Sequence, residues 1–374
     1  MECSTGGVCV IILAVKQLTV IDLFAGCGGA SLGFKQAGFK ILSAVEYDHV
    51  AASTYAANNP NAELFVNDIR HLSAQDILDR ANTKVGNCTA VIGCPPCQGF
   101  SRHRLKGAGQ NDPRNSLPTF FAELVSTIRP YFFVFENVPG ILKANTSPWY
   151  SVRDKLTNAG YKIAEGIINA VDYGVPQTRR RFVAIGCRLS GIDVTLPLKT
   201  HRRPTEGGNL PPWRTVRNAI GDLLPLENGQ HSSDDVLHHA PVHSEPTIRR
   251  FRCIPHDGGS RVSLPVEMQL NCHRGYKGYS DVYGRLYWDR PANTLTGGCN
   301  QPSKGRYLHP DQDRAITLRE AARLQGFPDS FQFIGNKQQV ALQVGNALPP
   351  PLAFTIASSI KELLIGRGSV GKGR

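Results

Sequence analysis

The chain has 374 residues, of which 41% are hydrophobic and 19% charged, which is ordinary for a globular protein. This length suffices for one large domain and a smaller one, so the ten irregularly spaced cysteines do not indicate a disulfide framework but a reducing, cytoplasmic compartment. The net charge of +12 favours a polyanionic partner, and the apolar run at 8–15, about half a membrane span in length, predicts neither a signal peptide nor an anchor.

Strands and helices alternate through the first half of the chain. Apolar runs predict strands at 18–24, 41–46, 63–68, 89–94, 131–137 and 181–187, and helices at 28–37, 48–59 and 116–128. This alternation predicts an α/β fold with a doubly wound, mostly parallel, Rossmann-like sheet. Two further helices are predicted at 317–325, with Thr317 and Glu320 as a capping box, and after Pro351.

The amino-acid composition and the hydrophobic pattern change after residue 190. Residues 190–310 are rich in Pro, Gly, His and Arg and show no long helical period, which predicts a second, smaller, loop-rich domain. We expect a first domain at 15–190 completed by 337–374, and the second at 191–336. The Gly-rich, basic tail 366–374 is expected to be disordered.

A glycine-rich turn follows the first strand. Residues 22–29 read Asp-Leu-Phe-Ala-Gly-Cys-Gly-Gly, and glycines with a helix N-terminus allow close approach of a ligand. Glu46 ends the next strand and could take two ribose hydroxyls, while Asp68 ends the third and could accept from an adenine amino group. Ser31 occupies the third glycine position of the dinucleotide-binding pattern, so a nicotinamide dinucleotide site is weakened but stays open.

A proline-stiffened loop follows the fourth strand. Residues 93–101 read Gly-Cys-Pro-Pro-Cys-Gln-Gly-Phe-Ser. Taken alone, Cys94 and Cys97 fit a redox pair, half of a zinc site, or a catalytic cysteine beside a passive one. A nucleophile benefits from a rigid loop at the end of a buried strand.

Two further polar groups lie at strand ends. Glu136 closes a strongly apolar strand, where desolvation penalises its charged form, and a protonated carboxyl can donate to a ring nitrogen. Arg179 and Arg181 are expected to share one face before the last strand, with Arg180 facing away, and to suit carbonyl or phosphate oxygens. A helix cap for Glu136 and a solvated basic run for the arginines are the alternatives.

Together these segments resemble the DNA cytosine-5 methyltransferases of bacterial or phage type, in that family's order and spacing. The resemblance covers residues 18 to about 355 except 190–285, and also includes Arg290-Pro291-Ala-Asn-Thr294-Leu-Thr296 and Gln343-Val344-Gly345-Asn346-Ala347. It implies the fold of S-adenosylmethionine-dependent methyltransferases. It also implies that the enzyme methylates C5 of a flipped-out cytosine in a short duplex DNA sequence.

The resemblance assigns roles to the quoted residues. Cys97 would add to cytosine C6, Glu136 would hold N3, and Arg179 and Arg181 would hold O2 and a neighbouring phosphate. S-adenosyl-L-methionine would be held by a set of residues from both ends of the chain: Phe24, Gly26, Gly28, Glu46, Tyr47, Asp68, Ile69, Pro96 and Asn346. Cys94 stands where the family often has glycine and is interpreted as passive.

DNA contacts are predicted in two places. A basic, mobile loop from 101 to 115 would close over DNA, and the loop-rich domain, with arginines among tyrosines, would be the target-recognition domain. The residues predicted to bind DNA are Gln98, Ser101, Arg102, Arg104, Gln177, Arg274, Lys277 and Arg285. No metal is expected, because Cys253, His256, Cys272, His273 and Cys299 include no C-x-x-C pair.

The main prediction is therefore an active DNA methyltransferase that acts as a monomer, with a separate cognate restriction endonuclease as a possible partner. The transfer-RNA branch of the same family is an alternative, which the sizeable basic variable region disfavours. A non-catalytic DNA-binding relative would require a damaged site, whereas Cys97, Glu136 and Arg181 are present. Amino-group methyltransferases carry a polar Asp/Asn-Pro-Pro-aromatic loop instead and are disfavoured.

Overall fold

The computed structural model describes residues 17–96, 113–142, 147–274, 278 and 281–365. Its centre is a seven-stranded sheet in the order β3-β2-β1-β4-β5-β7-β6. The strands are β1 (Thr19–Leu23), β2 (Lys40–Glu46), β3 (Glu63–Val66), β4 (Ala90–Gly93), β5 (Phe132–Asn137), β6 (Lys162–Asn169) and β7 (Arg180–Cys187). The first five are mutually parallel, and β7 runs antiparallel to both β5 and β6.

Ten helices surround the sheet or lie in the segments that follow it. They are α1 (Gly29–Gln36), α2 (His49–Asn58), α3 (Ala74–Arg80), α4 (Leu117–Ile128), α5 (Pro148–Asn158), α6 (Val216–Ile220), α7 (Glu245–Arg252), α8 (Leu318–Gln325), α9 (Lys337–Asn346) and α10 (Pro350–Ile365) within the described part of the chain. Helix α1 packs against α10, and α4 against α5.

The central strands are buried on both faces, because helices cover both. In β5, Phe133 and Phe135 join one apolar cluster with α3, α4 and α5, whereas Phe132 and Val134 join a second cluster with α1 and α10. This alternation follows the two-residue period of a strand. The predicted doubly wound, mostly parallel α/β fold is therefore confirmed.

The predicted elements are present, and most bounds move by one or two residues. Helix α8 begins after Thr317, whose hydroxyl accepts from the Glu320 N–H while the Glu320 carboxylate accepts from the Thr317 N–H, the predicted capping box. The sequence analysis did not identify α3, α5, α6, α7, α9 or β6. The antiparallel pairing of β7 was also not predicted, and it decides the geometry of the site.

The loop-rich segment (residues 191–336) contains short helices and irregular chain. Its interior includes buried ion pairs, chiefly Arg314 with Glu320 at 2.7 Å, as well as apolar clusters. Helices α8 and α9 pack together on either side of the predicted boundary at 336/337. The two domain boundaries stay predictions, and the N-terminal run at 8–15 and the tail 366–374 lie outside the described residues.

No helix in the described ranges is long and apolar enough to cross a membrane.

Candidate active site

The candidate site lies along the edge where parallel strands β1, β2, β4 and β5 end. Because β7 is antiparallel to β5, its first residues lie at this same edge: Asn137 pairs with Phe182, and Glu136 pairs with Val183. The basic segment at the start of β7 therefore lies beside Glu136 at the end of β5. Open α/β sheets bind their ligands at such carboxyl-end edges.

Glu136 and Arg181 form an ion pair within this edge. Nε of Arg181 lies 2.9 Å from Oε1 of Glu136, and the two side chains keep 13% and 11% of their surface accessible. The guanidinium of Arg181 and the carboxyl of Glu136 are thus direct partners, a contact that local sequence patterns did not show. The pair presents adjacent donor and acceptor groups to anything bound there.

The loop after β4 is fastened to the end of β5. The Asn137 side chain donates to the Pro95 carbonyl at 2.9 Å and accepts from the Val138 N–H at 2.9 Å. Asn137 received no role from the sequence, although an amide directly after a carboxyl at a buried strand end was a usable signal. Pro96 is exposed. The predictions for Cys97, Gln98, Ser101, Arg102 and Arg104 concern residues outside the described part.

Four of the described cysteines are poor nucleophiles. Burial raises the pKa of Cys27, Cys88 and Cys299 to about 12. Burial, then the charge of Glu136, raises the pKa of the Cys94 thiol well above its usual value. Since only a thiolate attacks readily, these four cysteines stay protonated and inert near neutral pH. The passive role predicted for Cys94 agrees with this.

The glycine-rich turn has the backbone conformation that close approach of a ligand requires. Phe24, Gly26 and Gly28 all have positive φ, at 67°, 56° and 99°. A side chain added at Gly26 would meet no protein atom within 4 Å, so the turn borders open space there. The left-handed region is costly for Phe24, and such strain concentrates at functional sites.

Glu46 joins the turn to the end of β2. One carboxylate oxygen accepts from the Gly26 N–H and the other from the Asp48 N–H, each at 2.7 Å. Burial raises the pKa of Glu46, and these backbone donors oppose the shift. Each oxygen retains a lone pair for a ligand hydroxyl. The Tyr47 ring, 71% exposed, stands next to it and offers an apolar face.

The end of β3 supplies the remaining predicted groups. Asp68 accepts hydrogen bonds from the Arg70 backbone and guanidinium, which lower the pKa of Asp68 to about 2. This partner was not predicted, and it leaves a fixed carboxylate beside the buried Ile69. These groups fit the parts of S-adenosylmethionine. The open glycine turn leaves room for the methionine part, Glu46 can accept from the ribose hydroxyls, and the Tyr47 ring and Asp68 suit the adenine.

Asn346 approaches the glycine turn from the far end of the chain. A Cβ on Gly29 would lie 2.5 Å from the Leu348 carbonyl and 3.1 Å from the Ala347 Cβ, so residues 347–348 pack directly on the start of α1. Asn346 itself is exposed. Asn346 therefore directly precedes the stretch that packs on the start of α1, and its role in the pocket stays a prediction.

Three predicted contacts with DNA are corrected by burial. Gln177 and Arg285 are fully buried, and the guanidinium of Arg285 bonds to the carbonyls of Phe251 and Ile254 and to Asp313. Arg179 is 2% exposed and donates to backbone carbonyls rather than facing the site with Arg181. The sequence shows the charge of these side chains but not the carbonyls that surround them. Arg180 is exposed, as the two-residue period predicts.

The loop-rich segment retains one described residue predicted to bind DNA. Arg274 is exposed after a short 3-10 turn, whereas Lys277 lies outside the described residues. Among the described residues no group of three or more Cys, His, Asp or Glu side chains could hold a metal ion. Cys272 is exposed and Cys299 buried.

Comparisons with known proteins agree with this geometry. The sequence model of the C-5 cytosine-specific DNA methylase family matches residues 18–362. The chain is 37% identical to Type II methyltransferase M1.HphI of Haemophilus parahaemolyticus, over 93% of this chain and 87% of the relative. It is 34% identical to Type II methylase M.HgiDII of Herpetosiphon aurantiacus, over 93% and 96%.

Solved structures share the fold. A prophage-encoded protein of E. coli, described as a DNA modification methyltransferase, superimposes with a TM-score of 0.72 and 28% identity, over 93% of this chain and 99% of that one. Spodoptera frugiperda DNMT2 superimposes with a TM-score of 0.59 at 17% identity, over 93% and 100%. At that identity the likeness concerns the fold alone.

Proposed function

The chain belongs to the C-5 cytosine-specific DNA methylase family, and from this premise we propose a sequence-specific methyltransferase that uses S-adenosyl-L-methionine and a covalent Cys97–cytosine intermediate. The observation that carries the proposal is the Glu136–Arg181 pair, held at 2.9 Å where β5 ends and β7 begins. It lies beside the loop that leads into Cys97 and that Asn137 fastens.

The pair accounts for the chemistry that a cytosine ring requires. C5 is a poor nucleophile until a thiolate adds at C6, because addition turns the ring into an enamine. Glu136 would bind N3 and stabilise the proton there, and Arg181 would donate to O2. Both interactions withdraw electrons from the ring towards the edge opposite C6 and favour addition by Cys97. Once the enamine carbon C5 has taken the methyl group, loss of the C5 proton and departure of the Cys97 thiolate would restore the aromatic ring.

The methyl donor would be held by the glycine turn and by the ends of β2 and β3. Phe24, Gly26, Gly28 and Asn346 would surround its methionine part and one face of its adenine. A second set would hold the ribose and adenine: Glu46, Tyr47, Asp68, Ile69 and Pro96. S-adenosylmethionine supplies the methyl group when bound. The cytosine would be flipped from the duplex at a cost of about a few kcal/mol.

The biological setting is a further proposal. Relatives named as Type II methyltransferases support pairing with a restriction endonuclease that acts separately. Because one flipped base needs one cleft, we propose that a monomer is the active form. The loop-rich segment would recognise the DNA sequence, with exposed Arg274 among its contacts.

The test is transfer of a labelled methyl group from S-adenosylmethionine to plasmid DNA or to transfer RNA. The proposal predicts labelled DNA, unlabelled transfer RNA, and loss of labelling in Cys97→Ser with cofactor binding retained. Labelling confined to transfer RNA would promote the RNA branch of the family. DNA binding without labelling of either acceptor would indicate a non-catalytic relative.

A further inference from the structure

Arg179 connects three stretches of chain that are far apart in sequence. Its Nη1 donates to the Leu295 carbonyl at 2.9 Å, and its Nη2 donates to the carbonyls of Gly345 at 2.9 Å and Ala347 at 3.3 Å. The side chain is 2% exposed. The two terminal nitrogens are thus committed to backbone carbonyls within the protein, whereas the buried Nε has no hydrogen-bond partner among the described residues.

The carbonyls that Arg179 binds flank one predicted cofactor residue. Asn346 is exposed between Gly345 and Ala347, which are both buried. The same stretch lies on the glycine turn, because the Cys27 thiol is 3.7 Å from the Gln343 carbonyl. Fixing the peptide groups on each side of Asn346 therefore fixes where its side chain stands relative to that turn.

A pair of buried glutamines reinforces this connection. Gln325 donates to the Ala347 carbonyl at 2.7 Å, the acceptor that Arg179 also uses. Gln177 donates to the Gln325 side-chain oxygen at 2.6 Å and accepts from the Leu295 N–H at 2.9 Å. Both glutamines are fully buried. The same two stretches, at 295 and 345–347, are thus held twice.

The backbones at the junction between residues 295–297 and 345–347 are in close contact. A Cβ built on Gly345 would overlap the backbone of Thr296 and Gly297, so the end of α9 lies directly against the 295–297 stretch of the loop-rich segment. A displacement of one stretch must be transmitted to the other, because close-packed interiors transmit strain.

We propose that Gln177, Arg179 and Gln325 are positioning residues that hold Asn346 in the methyl-donor pocket and couple that pocket to the loop-rich segment. The inference rests on the proposed function, since it presupposes that S-adenosylmethionine binds beside Asn346. Arg179 can serve three carbonyls because its planar fork presents several fixed donors. A lysine supplies one compact ammonium and must leave at least one of these carbonyls with poorer geometry.

The experiment measures S-adenosylmethionine affinity by calorimetry without DNA, together with the KM and kcat of methyl transfer. Arg179→Lys is expected to weaken cofactor affinity about tenfold, the effect of losing about one hydrogen bond to a charged donor. Gln325→Met, which removes one amide but keeps the volume, is expected to weaken it about fivefold. In both variants the KM for S-adenosylmethionine should rise while kcat at saturation changes by less than about twofold.

The matched control is Thr294→Val. The Thr294 hydroxyl donates to the Thr178 carbonyl at 2.7 Å in the same junction, but it touches neither carbonyl beside Asn346. Its cofactor affinity should stay within about twofold of the wild type. Thermal unfolding of all variants identifies any that fail to fold, and Gln325→Met carries the test if Arg179→Lys is one of them.

Three results would overturn the inference. Unchanged cofactor affinity in the folded variants, with weakened DNA binding or lowered kcat, would indicate that Arg179 contacts the substrate instead of positioning Asn346. If Thr294→Val weakens cofactor affinity equally, the effect comes from general destabilisation of the junction and not from the carbonyls beside Asn346. Failure of the wild type to bind S-adenosylmethionine would overturn the proposed cofactor and this inference with it, which separates that case from the other two.

Discussion

Asp22 is a buried carboxyl beneath the glycine turn, and its replacement by asparagine should change how stability depends on pH. The residue is 1% exposed, and Oδ2 accepts from the Ser31 hydroxyl at 2.6 Å. Its Oδ1 has no hydrogen-bond partner among the described residues. Burial, opposed by the Ser31 hydrogen bond, raises the pKa of Asp22 from 3.8 to about 7.

The sign follows from proton uptake. Between pH 3.8 and about 7 the native protein holds a proton on Asp22 that the unfolded chain has released. The free energy of unfolding contributed by this group is therefore fully present below pH 3.8, falls as the pH rises, and levels off above about 7. A shift of about three units at about 1.36 kcal/mol each corresponds to about 4 kcal/mol.

Asp22→Asn keeps the shape and removes the ionisation. Urea unfolding at pH 4 and pH 8 should show nearly equal stability of the two proteins at pH 4. At pH 8 the variant should be more stable by up to about 4 kcal/mol. Carboxyls that do not interact with Asp22 are common to both proteins and cancel in the difference, whereas Glu46, whose charge also raises the pKa of Asp22, does not cancel completely. A difference that does not change with pH, or that favours the wild type at pH 8, would refute this interpretation of the buried carboxyl.

Three further substitutions test the site and the packing that supports it. Gly29→Ala would place Cβ 2.5 Å from the Leu348 carbonyl, so we expect a loss of about 1–3 kcal/mol in urea unfolding and weaker cofactor binding by calorimetry. Gly207→Ala, where a Cβ meets no atom within 4 Å, is the control that should change neither. Glu320→Gln leaves the buried Arg314 without its carboxylate and should cost about 3–5 kcal/mol in the same unfolding assay; a cost below about 1 kcal/mol would contradict that account. Glu136→Gln should lower the rate of methyl transfer by about 10²–10⁴-fold in an initial-rate assay, and unaltered rates would remove this residue from the mechanism.

Much of the fold could be predicted from local patterns. The strands at the centre of the sheet are short apolar runs bounded by turn residues, and β4 and β5 match their predicted positions to within one residue at every end. The capping box of α8 could be predicted because Thr317 and Glu320 are three residues apart, the spacing that this motif requires. Helix α5 was missed although its buried residues Trp149, Val152 and Leu156 follow the helical spacing i, i+3, i+7. Strand β6 was missed because most of its residues are exposed or half-buried, so it shows no continuous apolar run.

Predictions for the site succeeded or failed for a different reason. Residue type identified the acids at strand ends, but local patterns did not show that antiparallel β7 would bring Arg181 to Glu136. Only the family resemblance implied that both residues hold one cytosine. Charge also failed as a guide to DNA contact, since Arg179 and Arg285 bind backbone carbonyls inside the protein. Whether an arginine faces solvent depends on which distant carbonyls need donors, and one chain's sequence does not show that.

The most direct test of the central claim is bisulfite sequencing of plasmid DNA from cells that express either the wild-type protein or Cys97→Ser. The proposed mechanism predicts methylated cytosines in one recurring short context with the wild type and none with the variant. Methylation that persists in Cys97→Ser, or a wild-type plasmid without 5-methylcytosine in any recurring context, would contradict it.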